Sequence, residues 1–100
     1  MDPESKRPTP RRLVGDAWPE GVAPDRSCDV AQTVARRLRD RLAKDKRSVR
    51  SLAAEAGVTH QTVRNVLNGD AWADIRTITA LEGVLDMSLW PHRRAKPAGS

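Results

Sequence analysis

The stretch GVTHQTVRNVLNG, residues 57–69, constrains the fold more than any other part of this chain. Between its two glycines Val63, Val66 and Leu67 share one helical face with Val58 just before them. His60, Arg64 and Asn68 step along the other side at intervals of four, flanked by Gln61 and Asn65. The spacing predicts a helix of about two turns, from about His60 to Leu67, closed at Asn68-Gly69 by a residue suited to a C-terminal cap. Just upstream, Ser48 is placed to cap a helix over Val49–Ala56, whose apolar stripe is Val49, Leu52, Ala53 and Ala56. Gly57 ends that helix because it tolerates the left-handed backbone of a tight reversal, and Thr59 caps the helix that follows. A turn this short makes the two helices cross steeply and closely, and Ala53 is small enough to permit it.

Helical periodicity extends on both sides of this pair. Val30, Val34, Leu38 and Leu42 recur every fourth residue with Ala31 and Ala35 beside them, and Ser27 or Asp29 stands where a cap belongs. Downstream, Asp74 is placed to cap a helix with Ile75, Ile78, Leu81 and Leu85 inward and Thr77 and Thr79 outward. Ser88 would then start a last short turn before Pro91, with Met87, Leu89 and Trp90 supplying closing contacts. No alternating run between Asp29 and Trp90 is long enough to argue a strand. The expected fold is therefore all-α, a compact bundle of about five short helices.

The flanks read differently. Residues 1–27 hold five of the seven prolines, and their five basic and five acidic residues cancel, so an extended, flexible N-terminal arm is expected, with Leu13, Val14, Trp18 and Val22 as its only anchors. Residues 28–91 form the helical domain, and residues 92–100, which carry Arg93, Arg94 and Lys96 without an acid, form a basic flexible tail.

Charge and composition then narrow the function. Eighteen Lys and Arg against 13 Asp and Glu give a net charge of +5, which favours nucleic acid or an acidic protein as partner. Cys28 alone cannot staple a fold, and His60 and His92 give no metal-ligand spacing, so neither a metal nor a cofactor is expected. With no glycine-rich phosphate loop, no metal cluster and no plausible triad, no catalytic residue is assigned and an enzyme is not expected. The absence of an apolar run of about 18 residues, or of a signal-like N-terminus, points to a cytoplasmic protein with no membrane partner.

Taken together, LAAEAGVTHQTVRNVLNG, with Ala53, Gly57, Val58, Thr59, Val63 and Gly69 in register, one helix before it and two after it, resembles the Cro/repressor type of helix-turn-helix domain, the xenobiotic-response-element family. The resemblance covers residues 29–90. It implies that the third helix enters the major groove of double-stranded DNA, with Thr59, His60, Gln61 and Asn65 at base or nearby phosphate contacts, Arg64 beside them, and Asn68 meeting the backbone. The chemistry agrees: Asn and Gln match adenine's paired donor and acceptor, and Arg grips guanine's two acceptors. Two departures stand out. Many relatives carry Gln where this chain has Val49, which removes that phosphate contact and leaves Ser48 or Arg50 as candidates to replace it; and Leu85 is followed by Asp86 where Gly is common, so the cap there is less comfortable or differently shaped.

The run from 36 to 50 holds Arg36, Arg37, Arg39, Arg41, Lys44, Lys46, Arg47 and Arg50 against Asp40 and Asp45. It reads either as a solvated face with internal ion pairs or, through Arg36, Arg37, Arg47 and Arg50, as a phosphate-binding one. The tryptophans read as packing residues at element ends. The functional expectation is a sequence-specific transcriptional regulator, a repressor, acting as a homodimer on a palindrome, with Leu89 and Trp90 or the loop around Trp72 as dimer surface by resemblance. The alternative is an antitoxin or similar interaction module in which the arm wraps a protein partner.

Overall fold

The structure, a computed structural model, describes residues 8–91. The expected basic tail of residues 92–100 and the first seven residues of the arm lie outside the described residues. Within them are five α-helices and no strand: α1 (Pro10–Val14), α2 (Arg26–Asp45), α3 (Val49–Ala56), α4 (His60–Asn68) and α5 (Ile75–Leu85). None is long and apolar enough to cross a membrane.

Local chemistry explains most boundaries. Ser48, Thr59 and Asp74 sit with extended backbone and accept from the amides of Ser51, Thr62 and Thr77, satisfying donors that have no partner inside the helix. At the far ends Gly57 (φ 74°) and Gly69 (φ 70°) take the left-handed conformation. The amide of Val58 then returns to the carbonyl of Ala53, and that of Asp70 to that of Asn65. Asp86 adopts φ 54° at the end of α5, so the helix closes as expected but on a side-chain-bearing residue in a left-handed cap.

The core is one cluster. Val34, Leu38 and Leu42 of α2, Leu52 and Ala53 of α3, Val63 and Val66 of α4, and Ile78, Leu81 and Leu85 of α5 are buried together with Leu89. α3 packs on both α4 and α5, and α2 packs on α4, so α4 is braced from behind by two helices.

Five expectations are corrected. α2 begins at Arg26, and its cap is Asp25, which accepts from the Cys28 amide, rather than Ser27 or Asp29. Ile75 is 77% exposed while Thr77 is buried. These two residues flank the stripe of Ile78, Leu81 and Leu85 on opposite sides, and tertiary packing rather than hydrophobicity chose the flank. No helix starts at Ser88, because the Glu82 carboxylate accepts the amides of Leu89 and Trp90 and draws the chain back across α5. Leu89, fully buried there, is removed from any dimer surface.

The fifth correction concerns the arm, which from Pro8 onward is not extended: it runs over the helical body. α1 opens with Pro10 in its first turn, where a missing amide proton is harmless, and packs on α2. The Arg11 amide donates to the Gly69 carbonyl, the Trp18 indole to Leu67, and Gln32, only 2% exposed, donates to the carbonyls of Glu20 and Gly21. Val22, expected as an anchor, is instead 87% exposed, whereas Leu13, Val14 and Trp18 are half-buried.

Candidate nucleic-acid interface

α4 is mounted on α3 by the three-residue turn Gly57-Val58-Thr59, and burial of Val63 and Val66 fixes which side it shows. The opposite side carries Gln61, Arg64 and Asn68, all exposed, with His60, Asn65 and Thr62 half-buried at its margins. The residues expected to contact bases are thus brought together, Thr59 at the cap and His60, Gln61, Arg64 and Asn65 along the first turns of α4. Arg64 is the single charged side chain of α4.

Two of the polar side chains order one another. Gln61 Nε2 donates to Asn65 Oδ1 at 2.9 Å, the i, i+4 contact of one helical face. That bond leaves Gln61 Oε1 and the Asn65 amide nitrogen, one acceptor and one donor, for another molecule. Thr59 Oγ is engaged at the helix start, 3.1 Å from the Thr62 amide and 2.8 Å from the Thr62 hydroxyl. The threonine therefore sets the origin of the helix and offers less to a partner than its position alone suggests.

Among the residues expected at phosphates, the structure separates two groups. Arg36 donates to the Pro19 carbonyl at 3.0 Å and to Thr33 Oγ, and Arg37 reaches the carbonyls of Ser88 and Trp90. Both guanidiniums hold flanking segments against α2. Arg39 pairs with Asp40 and Glu20, and Arg41 with Asp45, so this part of the basic run is the internally paired face. By contrast, Arg47, Ser48 and Arg50 cluster at the start of α3. Arg50 is exposed with no ion pair among the described residues, and Arg47 contacts Glu55 at 3.4 Å through one nitrogen while its Nη1 is buried without a partner. Val49 is half-buried against the core and brings no polar group to this cluster.

Trp18, expected only as an anchor of the arm, forms with Arg11 a strap across the C-terminal end of α4. Trp18 Nε1 donates to the Leu67 carbonyl at 2.9 Å, and Arg11 pairs with Asp70 at 2.7 Å, so the C-terminal end of α4 is tied to the arm. The ring of Trp18 lies so close over Gly69 that a Cβ there would sit 2.6 Å from its Cε2 atom. The sequence carries one signal of it: Trp18 is the single aromatic residue of the proline-rich segment 1–27.

Among the described residues, no group of three or more His, Cys, Asp or Glu is arranged to hold a metal ion. Neither curated proteins nor solved structures yield a match to the chain. A helix-turn-helix family model does match, over residues 36–89, which spans α3, the turn, α4 and α5 with the second half of α2. The chain thus belongs to the helix-turn-helix family of the Cro/C1, xenobiotic-response-element-like type, a family of DNA-binding, non-enzymatic domains.

Proposed function

We propose that the protein is a sequence-specific, double-stranded DNA-binding transcriptional regulator, a repressor, that acts in the cytoplasm as a homodimer on a palindromic site. The observation that carries the reading is the outer face of α4: Gln61 and Asn65 joined at 2.9 Å, with Arg64 exposed beside them and no acidic residue in the helix. In this reading Gln61, Asn65 and Arg64 read base edges in the major groove, His60 and Thr59 meet bases or the adjoining phosphates, and Asn68 meets the backbone.

Phosphate contacts fall to Ser48 and Arg50 at the start of α3, with Arg47 joining by exchanging Glu55 for a phosphate oxygen. Arg36 and Arg37 contribute to the field rather than to contacts, since their guanidiniums are already engaged. Ile75, 77% exposed, and the partly exposed Trp90 provide an apolar edge through which two copies pair. The arm from Pro8 on is bonded to its own body, which favours this reading over one in which it wraps a protein partner.

Selection of bound sequences from random duplexes tests the proposal. The expected result is an enriched motif with two-fold symmetry; a bound pool no different from the starting pool would defeat sequence-specific reading, and an asymmetric half-site would defeat the dimer.

A further inference from the structure

The chain has three tryptophans and neither Phe nor Tyr, and all three, Trp18, Trp72 and Trp90, line one cavity of about 390 Å³. The arm, the α4–α5 connection and the C-terminal segment each bring one ring, while Val66 of α4 and Ile78 of α5 form part of the floor. A volume of this size lies within the range of small-molecule sites, which are mostly apolar with a few placed polar groups. Trp18 and Trp72 direct their indole N–H groups to the carbonyls of Leu67 and Pro8, so what these rings offer the cavity is apolar surface.

Among the described residues, one charged side chain lines this space. Arg26, in the first turn of α2, is exposed, has no ion pair among the described residues, and meets no carboxylate among the cavity-lining residues. An occupant therefore needs a flat apolar body and gains from a negative head. The chain's own continuation is a poor fit, because Pro91 is followed by His92-Arg93-Arg94, which would set positive charge against Arg26. We propose that this cavity binds a small planar aromatic acid, its ring among Trp18, Trp72 and Trp90 and its carboxylate on the Arg26 guanidinium. In a DNA-binding regulator such a site is an effector site, a step that alone rests on the function proposed above; binding of the acid does not.

The test contains no DNA, so it stands or falls independently of that function. Naphthalene-2-carboxylate and its uncharged amide are titrated calorimetrically into the full chain at low salt, with benzyltrimethylammonium as the cationic comparison. One acid per chain is expected, with the amide about three- to fivefold weaker, the range of a solvent-exposed ion pair. Arg26→Gln should erase the acid's advantage and leave the amide unchanged. Ala71→Trp, which fills the cavity, should abolish binding of both while far-ultraviolet circular dichroism keeps its helical signal; if that signal is lost, Ala31→Phe is read in its place. Absence of binding by acid and amide alike, equal affinity for the two, binding that survives a filled cavity, or tighter binding of the cation would each overturn the proposal.

Discussion

Replacing Gly69 by Ala separates two reasons for a glycine that coincide at this position. Gly57 and Gly69 have nearly the same backbone, φ 74° and 70°, so a side chain at either pays the left-handed penalty, about 1–2 kcal/mol, part of which returns through reduced freedom of the unfolded chain. Around Gly57 a new Cβ meets nothing within 4 Å, and a net loss of about 1 kcal/mol is expected there. At Gly69 the Cβ would lie 2.6 and 2.8 Å from ring atoms of Trp18, and the ring must leave. With it goes the bond to the Leu67 carbonyl, worth about 1 kcal/mol, and ring packing of about the same size. Gly69→Ala should therefore exceed Gly57→Ala by about 2 kcal/mol, a gap of roughly 10 °C in Tm for a domain of this size. Thermal and urea unfolding followed by circular dichroism measure both, and Trp18→Ala closes the cycle: in that background Gly69→Ala should fall to the Gly57→Ala value. Equal losses at the two glycines, or a Gly69→Ala effect undiminished without Trp18, would refute the strap.

Four further outcomes are expected. Gln61→Ala or Asn65→Ala should weaken binding to the selected duplex by about 1–3 kcal/mol while sparing scrambled DNA, and because the two side chains order one another the double variant should lose less than the sum; equal losses on both duplexes would remove them from sequence reading. Arg50→Gln should flatten the salt dependence of DNA binding by about one unit whereas Arg36→Gln should leave it nearly unchanged, and the reverse ranking would move the phosphate contacts onto α2. Asp74 is held below the ordinary carboxylate range first by the Thr77 amide, so the cap stabilises α5 fully above about pH 5 and its contribution is lost as the pH falls through that depressed value; Asp74→Asn should keep the cap and flatten this acid limb in Tm measurements, and an unchanged limb would mean the carboxylate is not the titrating group. Deleting residues 1–24 should leave the α2–α5 cluster folded at a lower Tm, because its buried residues begin at Val34; loss of the helical signal would make the arm part of the cooperative unit.

What was legible in the sequence shares one property: it depends on residues a few positions apart. Ser48, Thr59 and Asp74 are caps because a short oxygen-bearing side chain reaches an amide three residues on, and Gly57 and Gly69 end helices because of their own backbone. The polar face of α4 follows from helical spacing alone, and so does the apolar side that turns it outward. These local rules sufficed for the all-helical fold, the turn and the candidate reading face.

Tertiary structure decided the rest. Whether Ile75 or Thr77 turned inward was set by the shape of the assembled body, while whether Arg36 faced solvent or the Pro19 carbonyl, and whether Trp18 lay free or over Gly69, depended on partners 17 and about 50 residues away. A proline-rich segment with balanced charge has no periodicity to betray a docked path, yet its carbonyls and one indole find donors and acceptors on α2 and α4 once those helices exist. The convergence of the three tryptophans on one cavity has the same origin: each is unremarkable in its own neighbourhood, and only the packing of arm, α4–α5 connection and C-terminal segment brings them together, because burial rewards total apolar contact and takes no account of separation along the chain.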